Sequence, residues 1–215
     1  MPTPTANPEN LKHAGTYLAR IDPQLAPVIA RAGAANIIPN KNYYQALVES
    51  IISQQLSVKA ASTILRRFLE LFPGDAFPTP NMILEKDIET LRSVGLSRQK
   101  GNYIQDLAVK VIEQTVRFNH LDTLSNEAVI VELTQIKGVG VWTVHMFLIF
   151  CMGRMDVLPT GDLGIKNGIY ALYRLEEKPT PEEMTEIARI NQWHPYESVA
   201  SWYIWHSLDN KPAVS

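Results

Sequence analysis

A single cysteine, Cys151, in 215 residues excludes an internal disulfide and a cysteine-only metal cluster, and it fits a reducing compartment. No apolar run approaches the roughly 20 residues needed to span a bilayer, so no membrane role is expected. The opening stretch, residues 1–10, has neither the basic leader nor the apolar core of a secretory signal. Export is therefore disfavoured. The expected location is cytoplasmic or nucleoid-associated in a bacterium, nuclear in a eukaryote. Charge of one sign is also scarce: 20 basic against 22 acidic residues leave a net charge of −2. Bulk charge does not advertise a nucleic-acid partner, and any such site needs a local basic face. Alternating strand patterns of useful length, heptad arrays and internal repeats are missing as well.

What remains is ordinary globular material, 46% hydrophobic and 20% charged, enough for one compact domain or two small lobes. The first ten residues hold three prolines and read as a loose arm. Two short helices are expected between Leu11 and Ile29, the second opened by Asp22-Pro23. Asn40 is a candidate cap for a helix whose core stripe is Tyr43, Tyr44, Leu47, Val48, Ile51 and Ile52. The polar joint Ser53-Gln54-Gln55 precedes a second periodic segment, Val58 to Leu71. Short helices follow at Met82–Leu84 and Ile88–Ser93, with Gly95 as a C-cap. Ser97 caps a long helix from Arg98 to Val116, and Ser125 caps one from Asn126 to Thr134. Later helices are expected over Leu163–Leu172, from Thr180 as a capping box to about Gln192, and from Pro195 to His206 or Leu208. The expected class is all-α, in nine or ten short segments.

The stretch from Leu133 to Met146 carries the strongest signal. Helix, Lys137-Gly138-Val139-Gly140, then helix is a tight hairpin in which glycine permits close backbone approach. The second helix starts near Val141, and its unpaired N–H groups would face an anion such as a duplex phosphate. Taken alone, a Gly-x-Gly of this kind is more often a plain interhelical turn.

The neighbouring residues narrow the reading. Leu133, Ile136, Gly138, Val139, Gly140, Trp142 and Thr143 resemble the helix-hairpin-helix signature of base-excision DNA glycosylases, most closely the 3-methyladenine DNA glycosylase II family. About twenty residues on, Asp156-Val157-Leu158-Pro159 and Asp162-Leu163 resemble the family's second motif. Residues 52–61 and 91–100 are similar to its segments that approach DNA. The resemblance spans Tyr43 to Leu208. It implies a two-lobed helical fold without the N-terminal β domain of some members. One lobe is residues 1–42 plus 134–215, the other is 43–133, and the hairpin covers about 126–152. Val144 in place of alanine and Met146 in place of a second aromatic depart from the pattern.

The resemblance implies that Asp162 serves base excision. Positive charge develops on the sugar as the glycosidic bond breaks, and a fixed carboxylate stabilises it more than it stabilises the ground state. Asp162 also precedes a helix and suits an N-cap. Asp156 is read as support of the turn. Bifunctional relatives place a lysine where Trp142 stands, so a monofunctional hydrolase of alkylated purines such as 3-methyladenine and 7-methylguanine is expected. Trp142, Met146, Trp193 and Tyr44 are the base-pocket candidates, although Tyr44 suits core packing too; an indole attracts a cationic base by about 0.5–2 kcal/mol. Trp202 and Trp205 are read as packing. Gln55 or Leu56 is the wedge that fills the stack after base extrusion. Lys137, Gly138, Gly140, Lys59, Ser57 and Thr143 are expected at the DNA backbone. Lys59, Arg66, Arg67, Arg92, Arg98, Lys100, Lys137 and Lys166 would form the local basic face, giving salt-dependent binding.

The implied partner is double-stranded DNA and the expected state a monomer. No cofactor is expected, and Cys151 alone rules out the superfamily's iron–sulfur loop. A monovalent cation at the hairpin carbonyls is compatible with the resemblance. Three rivals stand beside this reading: a non-catalytic helix-hairpin-helix protein that binds damaged DNA, a glycosylase for uracil or deaminated purines, and a soluble helical protein with no DNA role.

Overall fold

A computed structural model describes residues 5–74 and 76–209. The first four residues of the expected arm lie outside the described residues. Twelve α-helices occur among the described residues: α1 (Pro8–Ile21), α2 (Ala26–Ala32), α3 (Tyr43–Ser53), α4 (Val58–Leu69), α5 (Pro80–Leu84), α6 (Ile88–Ser93), α7 (Arg98–Ile112), α8 (Asn126–Leu133), α9 (Val141–Met146), α10 (Leu163–Leu172), α11 (Pro181–Ile190) and α12 (Glu197–Asp209). A 3-10 segment at Phe118–Thr123 and a π-helical turn at Phe147–Cys151 complete the set. The all-α expectation stands. None of the described helices is long and apolar enough to cross a membrane.

Sequence signals placed most boundaries through capping chemistry. Ser57, Thr79, Asp87, Ser97, Ser125, Asp162 and Thr180 each accept a backbone N–H three residues on, which satisfies a donor that the helix start leaves orphaned. Thr180 and Glu183 form the reciprocal capping box expected of them. Three expectations are corrected. Residues 8–10 are helical, because Asn7 accepts from the Asn10 N–H and starts α1 early, while Ala6 donates to the Gly153 carbonyl at 2.7 Å. Asn40 is not the cap of α3, which begins at Tyr43 behind Asn42; the Asn40 carbonyl instead accepts from the Cys151 thiol. The long helix ends at Ile112 and not at Val116, where Gln114 turns the backbone to φ 59.

The chain divides into two compact units. Unit 1 takes the chain up to residue 41 together with residue 145 onward, and unit 2 is residues 42–144. The expected boundary lay at 133/134; the structure places it at 144/145, inside α9, because the hairpin after α8 packs with unit 2.

In unit 1, α12 packs against α1, α2 and α10. Leu18, Ile165, Ile169, Val199 and Ile204 are fully buried, each worth roughly 1.5–3 kcal/mol relative to exposure. The fully buried carboxylate of Asp22 accepts from the backbone N–H groups of Gln24 and Leu25, from the Trp193 indole at 2.7 Å and from the Tyr173 hydroxyl. Four donors offset the cost of burying this charge. In unit 2, α7 is the central helix, with α3, α5 and α6 laid against it over Leu47, Ile51, Ile83, Leu91, Ile104 and Leu107.

Candidate functional site

Asp162 belongs to unit 1. Its φ of −84° and ψ of 124° make it the N-cap of α10, and its Oδ1 accepts from the Ile165 N–H at 2.8 Å. The same oxygen accepts from the Trp205 indole N–H at 2.9 Å. Two donors on one oxygen fix the rotation of the carboxyl group and keep it half-buried at the head of the helix. Gly164 makes this approach feasible: a Cβ there would lie 3.0 Å from both Asp162 Oδ1 and Trp205 Cδ1.

The loop leading to Asp162 is anchored at its other end by the same helix. Ser198, fully buried near the start of α12, donates its N–H to the Met155 carbonyl at 2.9 Å. Its hydroxyl accepts from the Val157 N–H at 3.0 Å and donates to the Val157 carbonyl at 3.2 Å. One rigid helix thus grips the 155–162 loop at Ser198 and again, two turns on, at Trp205. Phe150 packs its ring against Trp205 at 5.7 Å between centroids, and Leu163 beside Asp162 is 65% exposed. Asp162, Trp205, Phe150 and Leu163 give unit 1 a fixed carboxylate with an aromatic and apolar rim.

Two pocket expectations need correction here. Trp193 is sealed in the core and its indole N–H is satisfied by Asp22. It anchors the fold from the buried connection between α11 and α12. Trp205, read as packing, is the tryptophan that touches Asp162. The sequence held a signal for this in the spacing from Ser198 to Trp205, seven residues and about two helical turns on one face. On the same half of α12, Trp202 stacks on His206 with centroids 3.5 Å apart.

Unit 2 carries the hairpin and the turn. Gly138 has φ 79°, and a Cβ there would fall 2.0 Å from Tyr103 Cδ2, so only glycine allows the hairpin to close over α7. Asp106, also on α7, accepts from the Lys137 backbone N–H at 2.9 Å and faces the Lys137 ammonium at 3.3 Å. Lys137 remains 73% exposed. Thr143, expected at the DNA backbone, is buried on the inward face of α9, which corrects that expectation. Trp142 on the same helix is 47% exposed. His145 and Met146, at the end of α9 and on the unit 1 side of the division, are half-buried; burial lowers the His145 pKa. Tyr44 lies between Phe77 and Phe118, with a buried hydroxyl that lacks a hydrogen-bond partner, and burial raises its pKa.

Between α3 and α4 the chain turns at Gln54-Gln55-Leu56. Gln55 and Leu56 are exposed at its apex, as are Ser57 and Lys59 just beyond. The Ser57 hydroxyl accepts from the Ala60 N–H and starts α4. Gln54 reaches the hairpin, its amide donating to the Gly138 carbonyl at 2.9 Å. Four of the eight residues of the expected basic face are ion-paired. Arg66 meets Glu70, Arg92 and Arg98 meet Glu89, and Lys137 meets Asp106. Such exposed pairs are worth about 0–1 kcal/mol and exchange readily for a phosphate.

Of the hairpin carbonyls, that of Ile136 accepts from the Val139 N–H and that of Gly138 from Gln54. A monovalent cation there would rest on the others, and no step below runs through one. Among the described residues there is no group of three or more His, Cys, Asp or Glu side chains suited to a metal ion.

Known proteins resemble this chain in sequence and in fold. The DNA-3-methyladenine glycosylase 1 of Schizosaccharomyces pombe is 36% identical over 202 residues, covering 91% of this chain and 87% of that protein. The structure of a 3-methyladenine DNA glycosylase from the same yeast, in complex with abasic DNA, superposes with a TM-score of 0.79 at 35% identity, over 92% of this chain and 97% of that one. The DNA-3-methyladenine glycosidase of Bacillus halodurans gives a TM-score of 0.81 at 34% identity, over 98% and 94%. The model of the HhH-GPD superfamily of base excision DNA repair proteins matches residues 48–192, more than half of the chain, and to that family the chain belongs.

Proposed function

We propose that this protein is a monofunctional DNA glycosylase that acts as a monomer on double-stranded DNA and hydrolyses the glycosidic bond of alkylated purines. The observation that carries the reading is the carboxylate of Asp162, held in one orientation by the Ile165 N–H and the Trp205 indole. An alkylated purine carries positive charge while attached to the sugar. As the C1′–N bond breaks, its electron pair goes to the base, which leaves neutral, and the charge passes to the sugar. A carboxylate already fixed by two donors meets that charge with no reorganisation in the transition state. Water oriented by Asp162 then bonds to C1′ and passes a proton to that carboxylate and on to solvent, which leaves the 1′-hydroxyl of an abasic site.

Trp142 stands immediately beyond the hairpin glycines, where an amine would be needed for a Schiff base. The product is therefore an abasic site with the strand intact. Within unit 1, Met146 and the Trp205–Phe150 pair are the surfaces proposed to receive the cationic base; within unit 2, the half-exposed Trp142 indole is an aromatic face of the same chemistry. Tyr44, enclosed by Phe77 and Phe118, is assigned to packing. The apex Gln55-Leu56 is proposed to enter the stack, and Lys137, Gly138, Gly140, Ser57 and Lys59 to lie along the backbone.

The test offers the protein duplexes carrying methylated purines, uracil or hypoxanthine and measures free base and strand breaks. Release of 3-methyladenine or 7-methylguanine, with breaks appearing only after alkali, is the expected result. Release of uracil or hypoxanthine in preference, or binding without any release, overturns the reading.

A further inference from the structure

Lys100 is a basic residue of the DNA-approaching segment whose charge does not face outward. From the first turn of α7 its ammonium donates to the carbonyl of Ile52 at 2.8 Å and to that of Gln54 at 2.5 Å. The Ile52 carbonyl lies in the last turn of α3, among those a helix end leaves without an internal partner, where a cation is favourable. The Gln54 carbonyl belongs to the turn itself. Gln54 has φ −47° and ψ 128°, Gln55 has φ 58°, and the Leu56 N–H bonds back to the Ser53 carbonyl at 3.1 Å. Those values describe a type II turn over residues 53–56. Glycine is the usual third residue of such a turn, because a side chain is disfavoured at positive φ.

Type I and type II turns differ by a flip of the central peptide, here the one joining Gln54 to Gln55. The orientation of the Gln54 carbonyl therefore decides which turn forms, and that carbonyl is the group Lys100 holds. Gln54 adds a second tie, through its side-chain amide to the Gly138 carbonyl of the hairpin. We infer that Lys100 is a positioning residue that locks the 53–56 turn in its type II form and so sets where Gln55 and Leu56 meet the duplex. This rests on the proposed glycosylase reading only for its consequence in DNA, not for the state of the turn. Partial burial lowers the pKa of the Lys100 ammonium, and its two carbonyl partners oppose that cost.

Two variants, Lys100→Met and Lys100→Gln, test this, and either one that folds by circular dichroism suffices. The sign of φ at Gln55 is read by NMR scalar coupling in the free protein. Release of a methylated purine is then measured from paired duplex and from the same single strand. The expected result is a switch of Gln55 to negative φ, with the duplex-to-single-strand rate ratio falling by about tenfold and the salt dependence of duplex binding unchanged. An unchanged φ overturns the inference. So does an altered φ with an unchanged ratio, and so does a loss of about one unit in the salt slope, which would make Lys100 a phosphate contact. If the parent protein releases no methylated purine at all, the glycosylase reading fails while the coupling measurement still decides what Lys100 does to the turn.

Discussion

The loop around Asp162 and the turn-and-hairpin of unit 2 are built on opposite principles. The first is fixed by side chains that meet their partners, Ser198 on Val157 and Trp205 on Asp162, and the same unit holds Asp22 on Trp193 and Tyr173 in the same way. The second is fixed by backbone geometry at exposed positions, φ 58° at Gln55 and φ 79° at Gly138, with Lys100 and Gln54 underneath. A group that must stabilise charge in the transition state has to hold still, and paired side chains on a rigid helix supply that. A surface that must meet phosphate and enter a base stack has to protrude, so side chains cannot wrap it and the backbone carries its shape.

The contrast predicts different failures in the two regions. The largest effect is expected for Asp162→Asn, which keeps the cap but removes the charge. Single-turnover release of 3-methyladenine should fall by about 100- to 1,000-fold, while affinity for an abasic-analogue duplex holds. Trp205→Phe keeps the ring and removes the indole N–H. The same assay should show a rate lower by about tenfold, the scale of one hydrogen bond to a charged group, with the duplex Kd unchanged. Lys137→Ala in unit 2 should act the other way. The slope of log affinity against log salt should shrink by about 0.9, and the rate at saturating protein should be that of the parent. Equal losses of rate and affinity in all three variants would erase the distinction between the regions.

The smallest effect concerns the anchor itself. Glu197 opens α12 with one carboxylate oxygen 3.0 Å from His194 Nδ1 and the other buried without a partner. Burial raises its pKa, with Asp156 adding to the rise and the Glu197 backbone N–H and His194 opposing it. A carboxyl raised in the folded state favours folding when protonated, and that contribution is lost as pH rises through the folded pKa. Glu197→Gln should therefore raise Tm by about 1–2 °C near neutral pH and leave it unchanged well below the ordinary carboxylate range. A rise of the same size at both pH values would show that charge is not the cause.

Much of this was legible in the chain. Caps such as Ser97, Ser125, Asp162 and Thr180 announce helix starts because they act on their own neighbours, three residues away. The hairpin and the Asp156–Leu163 motif are also local, so their chemistry could be read in order. Long-range partnerships left no comparable trace. Asp22 and Trp193 are 171 residues apart, and Asp162 and Trp205 are 43 apart. Nothing in the two tryptophans' immediate neighbours says which is sealed in the core and which reaches the carboxylate. Lys100 misled for a related reason. A lysine beside a DNA-approaching motif reads as a phosphate contact, and only the fold brings the Ile52 and Gln54 carbonyls beneath it. Thr143 failed by helix phase, since one residue of rotation separates it from exposed Trp142.

The most direct test of the central claim follows release of 3-methyladenine from a methylated duplex under single-turnover conditions as protein is raised to saturation, for the parent, Lys137→Ala and Asp162→Asn side by side. If the carboxylate of Asp162 carries the chemistry, Lys137→Ala reaches the parent rate at saturation and Asp162→Asn stays at least about 100-fold below it. Release by Asp162→Asn at the parent rate would contradict the account.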